Sequence, residues 1–239
     1  MVGLGTVINS VAIVVGGFIG LLFKNLFSSS LQDGLKKACG LSVMFIAIAG
    51  AMEGMLKINN EMLVSEKSML VVICMALGTF IGEVIGIDKL FESFGELLKN
   101  KTGNKNDDDF NNAFLTATFT FCIGSMAIVG AIEDGLKGNY SILAVKSVLD
   151  FIMVAVLASS LGKGAIYSAI PVFIYEGLIT LLARFISPLM TDLAINYISL
   201  IGSILIFCVG INLVWNNIIK VANMLPSLIV ALIFAYFML

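Results

Sequence analysis

The sequence contains no histidine, and only 13% of its 239 residues are charged. Histidine is the commonest metal ligand and the side chain that ordinarily titrates near neutral pH, so we expect no metal site and assign any proton transfer to carboxylates. A soluble domain of this length would carry about twice that charged fraction. The formal net charge of −2 and a pI near 5.1 provide no basic surface for nucleic acid.

Cysteine is also scarce. Cys39, Cys74, Cys122 and Cys208 fall within apolar segments and form no CxxC pair. We interpret them as small buried side chains, not as metal ligands or disulfide partners. No cofactor is expected.

Apolar residues make up 59% of the chain, and the mean hydropathy is +1.04. A bilayer span needs about 20 mainly apolar residues, and runs of that length recur throughout. The pattern predicts one integral membrane domain over residues 1–239, an all-α polytopic transmembrane helical bundle of about eight spans. The predicted spans are residues 3–23, 38–56, 68–87, 110–132, 141–161, 164–186, 193–214 and 222–238.

A further amphipathic segment lies between the third and fourth spans. Over residues 88–101, apolar side chains recur at helical spacing and charged side chains cover the opposite face. This pattern is typical of a helix that lies at the membrane interface.

Basic residues are distributed unequally between the two sides of the predicted bundle. Loops after the odd-numbered spans hold nine, and the opposite side holds four when the intramembrane Lys146 is left out. The first set is Lys24, Lys36, Lys37, Lys89, Lys99, Lys101, Lys105, Lys163 and Lys220, and the second is Lys57, Lys67, Lys137 and Arg184. Because cytoplasmic loops carry the excess of basic residues, both termini are predicted to lie outside.

An internal repeat is indicated when the chain is shifted by 160 residues. The shift aligns Gly17, Ile19, Leu21, Leu22 and Gly50 with Gly177, Ile179, Leu181, Leu182 and Gly210, and Lys24 with Arg184. It relates residues 3–87 (spans one to three) to residues 164–239 (spans six to eight), with the central spans at 110–161. Copies five spans apart run in opposite directions, as in many secondary transporters. Chance similarity between two strings rich in leucine, isoleucine and glycine is the alternative.

Three ionisable residues interrupt the fifth and sixth predicted spans. Lys146 and Asp150 are four residues apart, so they share a helix face and can pair. Glu176 lies at the middle of the sixth span, five residues after Pro171. A charge near the bilayer centre costs at least about 2.5–3.5 kcal/mol, so such residues usually face a bundle interior or a wet cavity. The structural alternatives are a helix-stabilising ion pair and a protonated, hydrogen-bonded glutamic acid.

Polar and helix-breaking residues accompany these charges. A proline within a span removes a helical hydrogen bond and frees a carbonyl to face a cavity. Glycines and hydroxyls in the fourth span allow either close packing or an unwound lining. The predicted substrate- or ion-binding residues are Lys146, Asp150, Glu176, Asn9, Ser125 and Thr120, and the predicted backbone breaks are Gly124, Gly130 and Pro171. Helix–helix contacts are predicted at Gly16/Gly20, Gly50/Gly54 and Gly78/Gly82/Gly86.

Several of these segments resemble a prokaryotic membrane family catalogued as domain of unknown function 554. The strings are FCIGSMAIVG at residues 121–130, Glu133-Asp134-Gly135, Lys146-Ser147-x-x-Asp150, Ser168-Ala169-Ile170-Pro171, Gly5-Thr6-Val7-x-Asn9 and Gly16-Gly17. The likeness covers essentially the whole chain and implies a bacterial integral membrane protein, without supplying an activity. This chain has Glu176 where we expect glutamine in the family.

The leading hypothesis is a transporter or ion pathway for a small polar solute or ion, coupled to H⁺ or Na⁺, in a bacterial cytoplasmic (inner) membrane. Its partners would be the lipid bilayer and the solute, with homo-oligomers left open. The alternative is a membrane sensing or scaffold protein. An intramembrane enzyme is less favoured, because the sequence has no histidine and marks no substrate cleft beside its carboxylates.

Overall fold

The long apolar runs of the sequence form helices in the computed structural model of the chain. The structure describes residues 2–24, 28–59, 62–103, 109–215 and 218–237, and at residues 29, 58, 59, 63 and 125 it describes the backbone but not the side chain. The helices are α1 Leu4–Lys24, α2 Ser29–Met55, α3 Ser68–Ile85, α4 Ile87–Lys101, α5 Phe110–Cys122, α6 Ser125–Lys137, α7 Ser141–Leu161, α8 Gly164–Tyr167, α9 Ala169–Leu181, α10 Ala183–Ile186, α11 Asp192–Trp215, α12 Val221–Met224 and α13 Pro226–Phe237. Strands β1 Leu56–Asn59 and β2 Met62–Ser65 pair antiparallel between α2 and α3, and a 3-10 turn, Ser187–Leu189, follows α10.

Within the described residues, six helices are long and apolar enough to cross a membrane: α1, α2, α3, α7, the run of α8 and α9, and α11. The pair α5 and α6 would make a seventh, although it bends by 60° at its break. The remaining apolar helix, Val221–Phe237, is shorter. These elements follow the order of the predicted spans. The all-α polytopic bundle is therefore confirmed, with six or seven elements of full spanning length instead of eight.

Apolar side chains cover the outside of the bundle. On α1, Val7, Val11, Val15, Phe18 and Leu22 are exposed at steps of three or four residues. They form one stripe along the helix, and the opposite face is buried and rich in glycine. An extended apolar surface of this kind marks contact with a membrane.

Two local features differ from the sequence prediction, and a third, the break at Gly124, agrees with it. α2 begins nine residues before residue 38, because the Ser28 side chain caps it by accepting a hydrogen bond from the Leu31 N–H at 3.3 Å. The loop after α2 contains the unpredicted hairpin. The fourth span is broken between Cys122 and Ser125, and Gly124 there has φ 156°, a conformation that side chains other than glycine rarely adopt.

The predicted amphipathic helix is present as α4. Its Phe94 ring packs against Phe114 of α5, with 5.9 Å between the ring centroids. At its first turn, Asp88 forms an ion pair with Lys220 at 3.2 Å, and the Asp88 N–H donates to Asn223 Oδ1 at 2.7 Å. Burial opposes ionisation of the carboxyl, but hydrogen bonds from its partners hold the pKa of Asp88 below its usual range. These bonds attach α4 to the membrane-spanning helices.

Glycines form the closest contact between α1 and α7, as their spacing predicts. A side chain at Gly16 would collide with Phe151, and one at Gly20 would collide with the backbone of Ala155. The two helices can therefore approach closely only because these positions have no side chain.

The same kind of contact joins α2 to α11, and α3 to α12 and α13. The pairs are Gly40 with Val214, Gly50 with Ser203, Gly54 with Leu200, Gly78 with Ser227 and Gly82 with Asn223. The partner numbers fall as the glycine numbers rise, so each pair of helices is antiparallel. The prediction for Gly86 was wrong: this residue ends α3 in the left-handed conformation, with φ 72°.

Asp134, one turn before the end of α6, fixes the start of α1. Its carboxylate accepts hydrogen bonds from the N–H groups of Gly3 at 3.2 Å and Gly5 at 2.9 Å, and its side chain is fully buried. The first N–H groups of a helix have no partner within the helix and carry partial positive charge, so a carboxylate stabilises them. This contact sets the position of α1 against α6.

We expect Gly20→Ala to lower the free energy of unfolding by about 1–3 kcal/mol, because the added methyl group meets backbone atoms that cannot rotate away. Gly34→Ala is the matched control, since Gly34 lies in α2 with open space around it. The control should be neutral or slightly stabilising, because alanine favours a helix. Thermal unfolding in detergent, followed by circular dichroism, compares the two variants, and equal stabilities would contradict the close α1–α7 contact.

We expect Asp134→Ala to lower the free energy of unfolding by about 1.5–3 kcal/mol, the usual contribution of hydrogen bonds to a charged group. Glu133→Gln is the control, because the neighbouring Glu133 bonds only to Lys137 and Asn139 at the surface among its described contacts. The same unfolding measurement applies. A larger loss in the Glu133 variant would show that Asp134 does not hold α1.

Candidate functional site

Three charged side chains from α7 and α9 converge inside the bundle. Lys146 and Asp150 share one face of α7, as predicted, and the Lys146 ammonium donates a hydrogen bond to Asp150 Oδ2. The same ammonium lies 3.4 Å from Glu176 Oε1 on α9. Lys146, Asp150 and Glu176 are 6%, 7% and 0% exposed. These three side chains are called the ion cluster below.

The helix α1 supplies a hydrogen-bond donor to the ion cluster. Asn9, which is fully buried, donates from Nδ2 to Glu176 Oε1 at 2.9 Å. Three residues earlier on α1, the hydroxyls of Thr6 and Thr180 lie 3.4 Å apart. α1 and α9 are antiparallel, so these two polar pairs stack along their interface. Asn9 was predicted to face this interior, whereas the two threonines were missed although their spacing from Asn9 and Glu176 places them on the same helix faces.

Some buried polar atoms beside the ion cluster have no hydrogen-bond partner among the described residues. They are Asn9 Oδ1 and Glu176 Oε2. Leaving a buried donor or acceptor unpaired costs about 1–3 kcal/mol, and such atoms are uncommon in folded proteins. Groups of this kind, beside charged side chains, are suited to binding a proton or a small ion.

The end of α5 borders the ion cluster on another side. The Lys146 ammonium lies 6.0 Å from the centroid of the Phe121 ring, within the range of a cation–π contact. The predicted break at Gly124 follows directly. The Thr120 hydroxyl donates to the carbonyl of Thr116 within α5 at 2.7 Å, and its role in binding stays a prediction. The predicted role of Ser125 concerns a side chain outside the described residues.

The other two predicted backbone breaks differ from each other. Gly130 lies within the continuous helix α6 and packs against Leu143 of α7, so its prediction as a break was wrong. Pro171 occupies the first turn of α9, where a missing N–H is tolerated. The helix is interrupted just before it, at Ser168, where α8 ends. Because α8 and α9 together count as one span, the predicted break at Pro171 stays a prediction.

A cavity of about 850 Å³ lies beside the ion cluster, between α4, α5, α9 and α13. Its lining is mostly apolar and aromatic, and none of the three cluster residues belongs to it. Two of its lining residues, Cys122 and Tyr175, directly follow and precede Phe121 and Glu176 in the sequence. The lining of the cavity therefore includes the sequence neighbours of two residues at the cluster.

A smaller, polar cavity of about 220 Å³ lies farther along α5. Its lining includes Asp88, Glu92, Thr116, Asn212 and Lys220. Thr116 precedes Phe121 by five residues, which corresponds to about 7.5 Å along a helix. The helix α5 thus connects this cavity with Phe121, the residue that borders the ion cluster.

Over residues 4–236 the chain matches the family described as "Protein of unknown function (DUF554)". It is 33% identical to the "Uncharacterized membrane protein YdfK" of Bacillus subtilis (strain 168), with 95% of this chain and 93% of that protein covered. It is 26% identical to the "Uncharacterized protein YqgA" of Escherichia coli (strain K12), with 96% and 94% covered. No solved structure matches. The match over nearly the whole length, together with the apolar helices, shows that the chain is a multi-pass membrane protein and belongs to the DUF554 family.

Proposed function

We propose that this protein is a transporter or ion pathway that moves a small polar solute or ion through a site centred on the ion cluster. The observation that carries the proposal is the burial of two carboxylates and one ammonium, each at most 7% exposed, inside helices that are apolar on the outside. Charged residues at such depth are rare and usually mark a substrate or ion pathway. With two acids and one base, the ion cluster is suited to a cation or proton, which would couple movement to a gradient.

Polar groups on both sides of the ion cluster support a pathway. On one side, the Asn9–Glu176 and Thr6–Thr180 pairs lead along the α1–α9 interface to the buried Asp134. On the other side, α5 leads toward the polar cavity near Lys220 and Asp88. A hydrated ion needs such groups because hydrocarbon offers none.

We also propose that residues 3–87 and 164–239 are inverted repeats, which would place the ion cluster near the interface between two halves. Each helix of the first half contacts its proposed counterpart, and each pair is antiparallel: α1 with α9, α2 with α11, and α3 with α12 and α13. The shift of 160 residues maps Gly40 onto Leu200 and Gly54 onto Val214. It therefore converts one contact between α2 and α11, Gly40 with Val214, into another, Gly54 with Leu200. A two-fold axis requires such reciprocal contacts. Inverted repeats with a central site are common in secondary transporters.

A second candidate function, a membrane sensing or scaffold protein, is favoured by the apolar cavity of about 850 Å³, whose volume falls in the range of ligand sites. It would replace the transport proposal if the wild-type chain showed no flux and retained an apolar molecule through purification. We do not propose an enzyme, because the two carboxylates of the ion cluster share one ammonium and neither lines that cavity.

For orientation, we propose a bacterial cytoplasmic membrane with both termini outside. In a variant with its four cysteines replaced, a cysteine at the exposed position Lys137 should react with a membrane-impermeant maleimide in intact cells. A cysteine at the exposed position Lys89 of α4 should react only after the cells are opened. The reverse pattern would overturn the orientation.

For transport, we expect Asp150→Asn and Glu176→Gln to reduce gradient-driven flux in proteoliposomes to background, with thermal stability nearly unchanged. The assay would use radiolabelled amino acids, carboxylic acids, sugars and ²²Na⁺ with an imposed proton or sodium gradient. Glu83→Gln is the control, because Glu83 is an exposed carboxylate on α3. If both cluster variants transport at the wild-type rate, or merely unfold, the charges are structural and the proposal fails.

A further inference from the structure

We propose that the cation bound at the ion cluster is a proton, that it is carried on Glu176 Oε2, and that the Asn9 carboxamide is its partner. The assignment of the proton as the coupling ion rests on the proposed transport function. The protonation site on Glu176 can be tested without a transport measurement. The step forms one O–H bond on the carboxylate oxygen and breaks one O–H bond of the hydronium ion that delivers the proton, which leaves as water.

The hydrogen bonds of Asn9 and Glu176 carry the inference. Asn9 Nδ2 already donates to Glu176 Oε1 at 2.9 Å, so the carboxamide and the carboxyl group are adjacent. The second oxygen of each group, Asn9 Oδ1 and Glu176 Oε2, is buried and has no partner among the described residues. Two acceptors cannot satisfy each other, but a proton on Oε2 makes that atom a donor. One proton can therefore satisfy both unpaired atoms, in the two-point arrangement that amides and carboxylic acids form.

Protonation of Oε2 also leaves the existing contacts in place. Glu176 Oε1 continues to accept from Asn9 at 2.9 Å and to face the Lys146 ammonium at 3.4 Å. Lys146 keeps its hydrogen bond to Asp150. The formal charge of the ion cluster changes from −1, with two carboxylates and one ammonium, to zero. A neutral cluster is the form that a low-dielectric interior favours.

The charges around Glu176 favour a proton over a metal cation. The Lys146 ammonium of α7, 3.4 Å from Oε1, would repel a second cation held by the same carboxyl group. In the part of the chain that the structure describes, no three Asp, Glu, Cys or His side chains are placed to share a metal ion. A proton instead forms a covalent bond to Oε2 and needs one acceptor, which Asn9 provides.

The other titratable groups near Glu176 are paired, exposed or weakly acidic, so Glu176 is the group best placed to carry the proton. On α7, Asp150 forms an ion pair with Lys146. On α5, the nearby titratable group is the thiol of Cys122, which is a weak acid. On α9 itself, Tyr175 points to the apolar cavity. From α6, Asp134 is held by the N-terminus of α1, and Arg184 of α10 is exposed. Described residues of α1 and α8 contribute no titratable side chain beside Glu176.

Infrared difference spectroscopy on the purified full-length protein, acidic minus alkaline, tests the assignment. We expect one component of the carboxylic-acid carbonyl absorption to be lost in Glu176→Gln and retained in the control Glu83→Gln. In Asn9→Leu the band should move to higher frequency, because the carbonyl oxygen loses the hydrogen bond from Nδ2. Exchanging KCl for NaCl at fixed pH should leave the band unchanged.

Retention of the band in Glu176→Gln would overturn the assignment, as would a decrease of the band when Na⁺ is added. If Glu176→Gln does not fold, Glu176→Asp gives the decisive measurement: a displaced band supports the assignment and an unchanged band refutes it. These spectra require no flux. A titrating Glu176 band in a protein that shows no transport would therefore reject the proposed function and leave the proton site standing.

Discussion

The arrangement of α1, α7 and α9 depends on one electrostatic constraint: two carboxylates must share a single ammonium away from water. Lys146 lies between Asp150 and Glu176 and satisfies one oxygen of each, and a third helix supplies Asn9. Removing the Lys146 ammonium would leave two buried carboxylates without a counter-charge, which costs several kcal/mol. The position of each helix is thus fixed by a polar contact in its interior, while its outer surface stays apolar.

Small residues make that polar contact geometrically possible. Side chains from α1 can reach the ion cluster only if α1 lies close to α7, and Gly16 and Gly20 permit that distance. In lipid, helices gain little from burying apolar surface against each other, so close packing and internal hydrogen bonds must supply the association. The glycine contacts and the ion cluster are therefore parts of one interface. The first sets the separation of the helices, and the second sets their rotation.

Features that depend on local periodicity were predictable from the sequence, and those that depend on which helices become neighbours were not. Hydropathy predicted the helices, and a spacing of four predicted the ion pair within α7. The bond between Asn9 and Glu176 joins residues 167 apart, and no periodicity specifies that distance. Gly124 and Gly130 looked equivalent as breaks, yet Gly130 lies within the continuous helix α6, where Leu143 of α7 packs closely against it. The cap that Asp134 places on α1 likewise depends on a contact between distant segments.

The Asp134 cap makes α6 and the start of α1 mechanically one piece. α6 meets α5 at the 60° bend beside Gly124, the natural pivot for any tilt of α6. Such a tilt would pull on the amide groups of Gly3 and Gly5, and through them on the helix that carries Asn9. The carboxamide would then slide along the carboxyl group of Glu176. In this architecture, a rotation of α6 at the bend would therefore be coupled to the hydrogen bonding of the Glu176 carboxyl group.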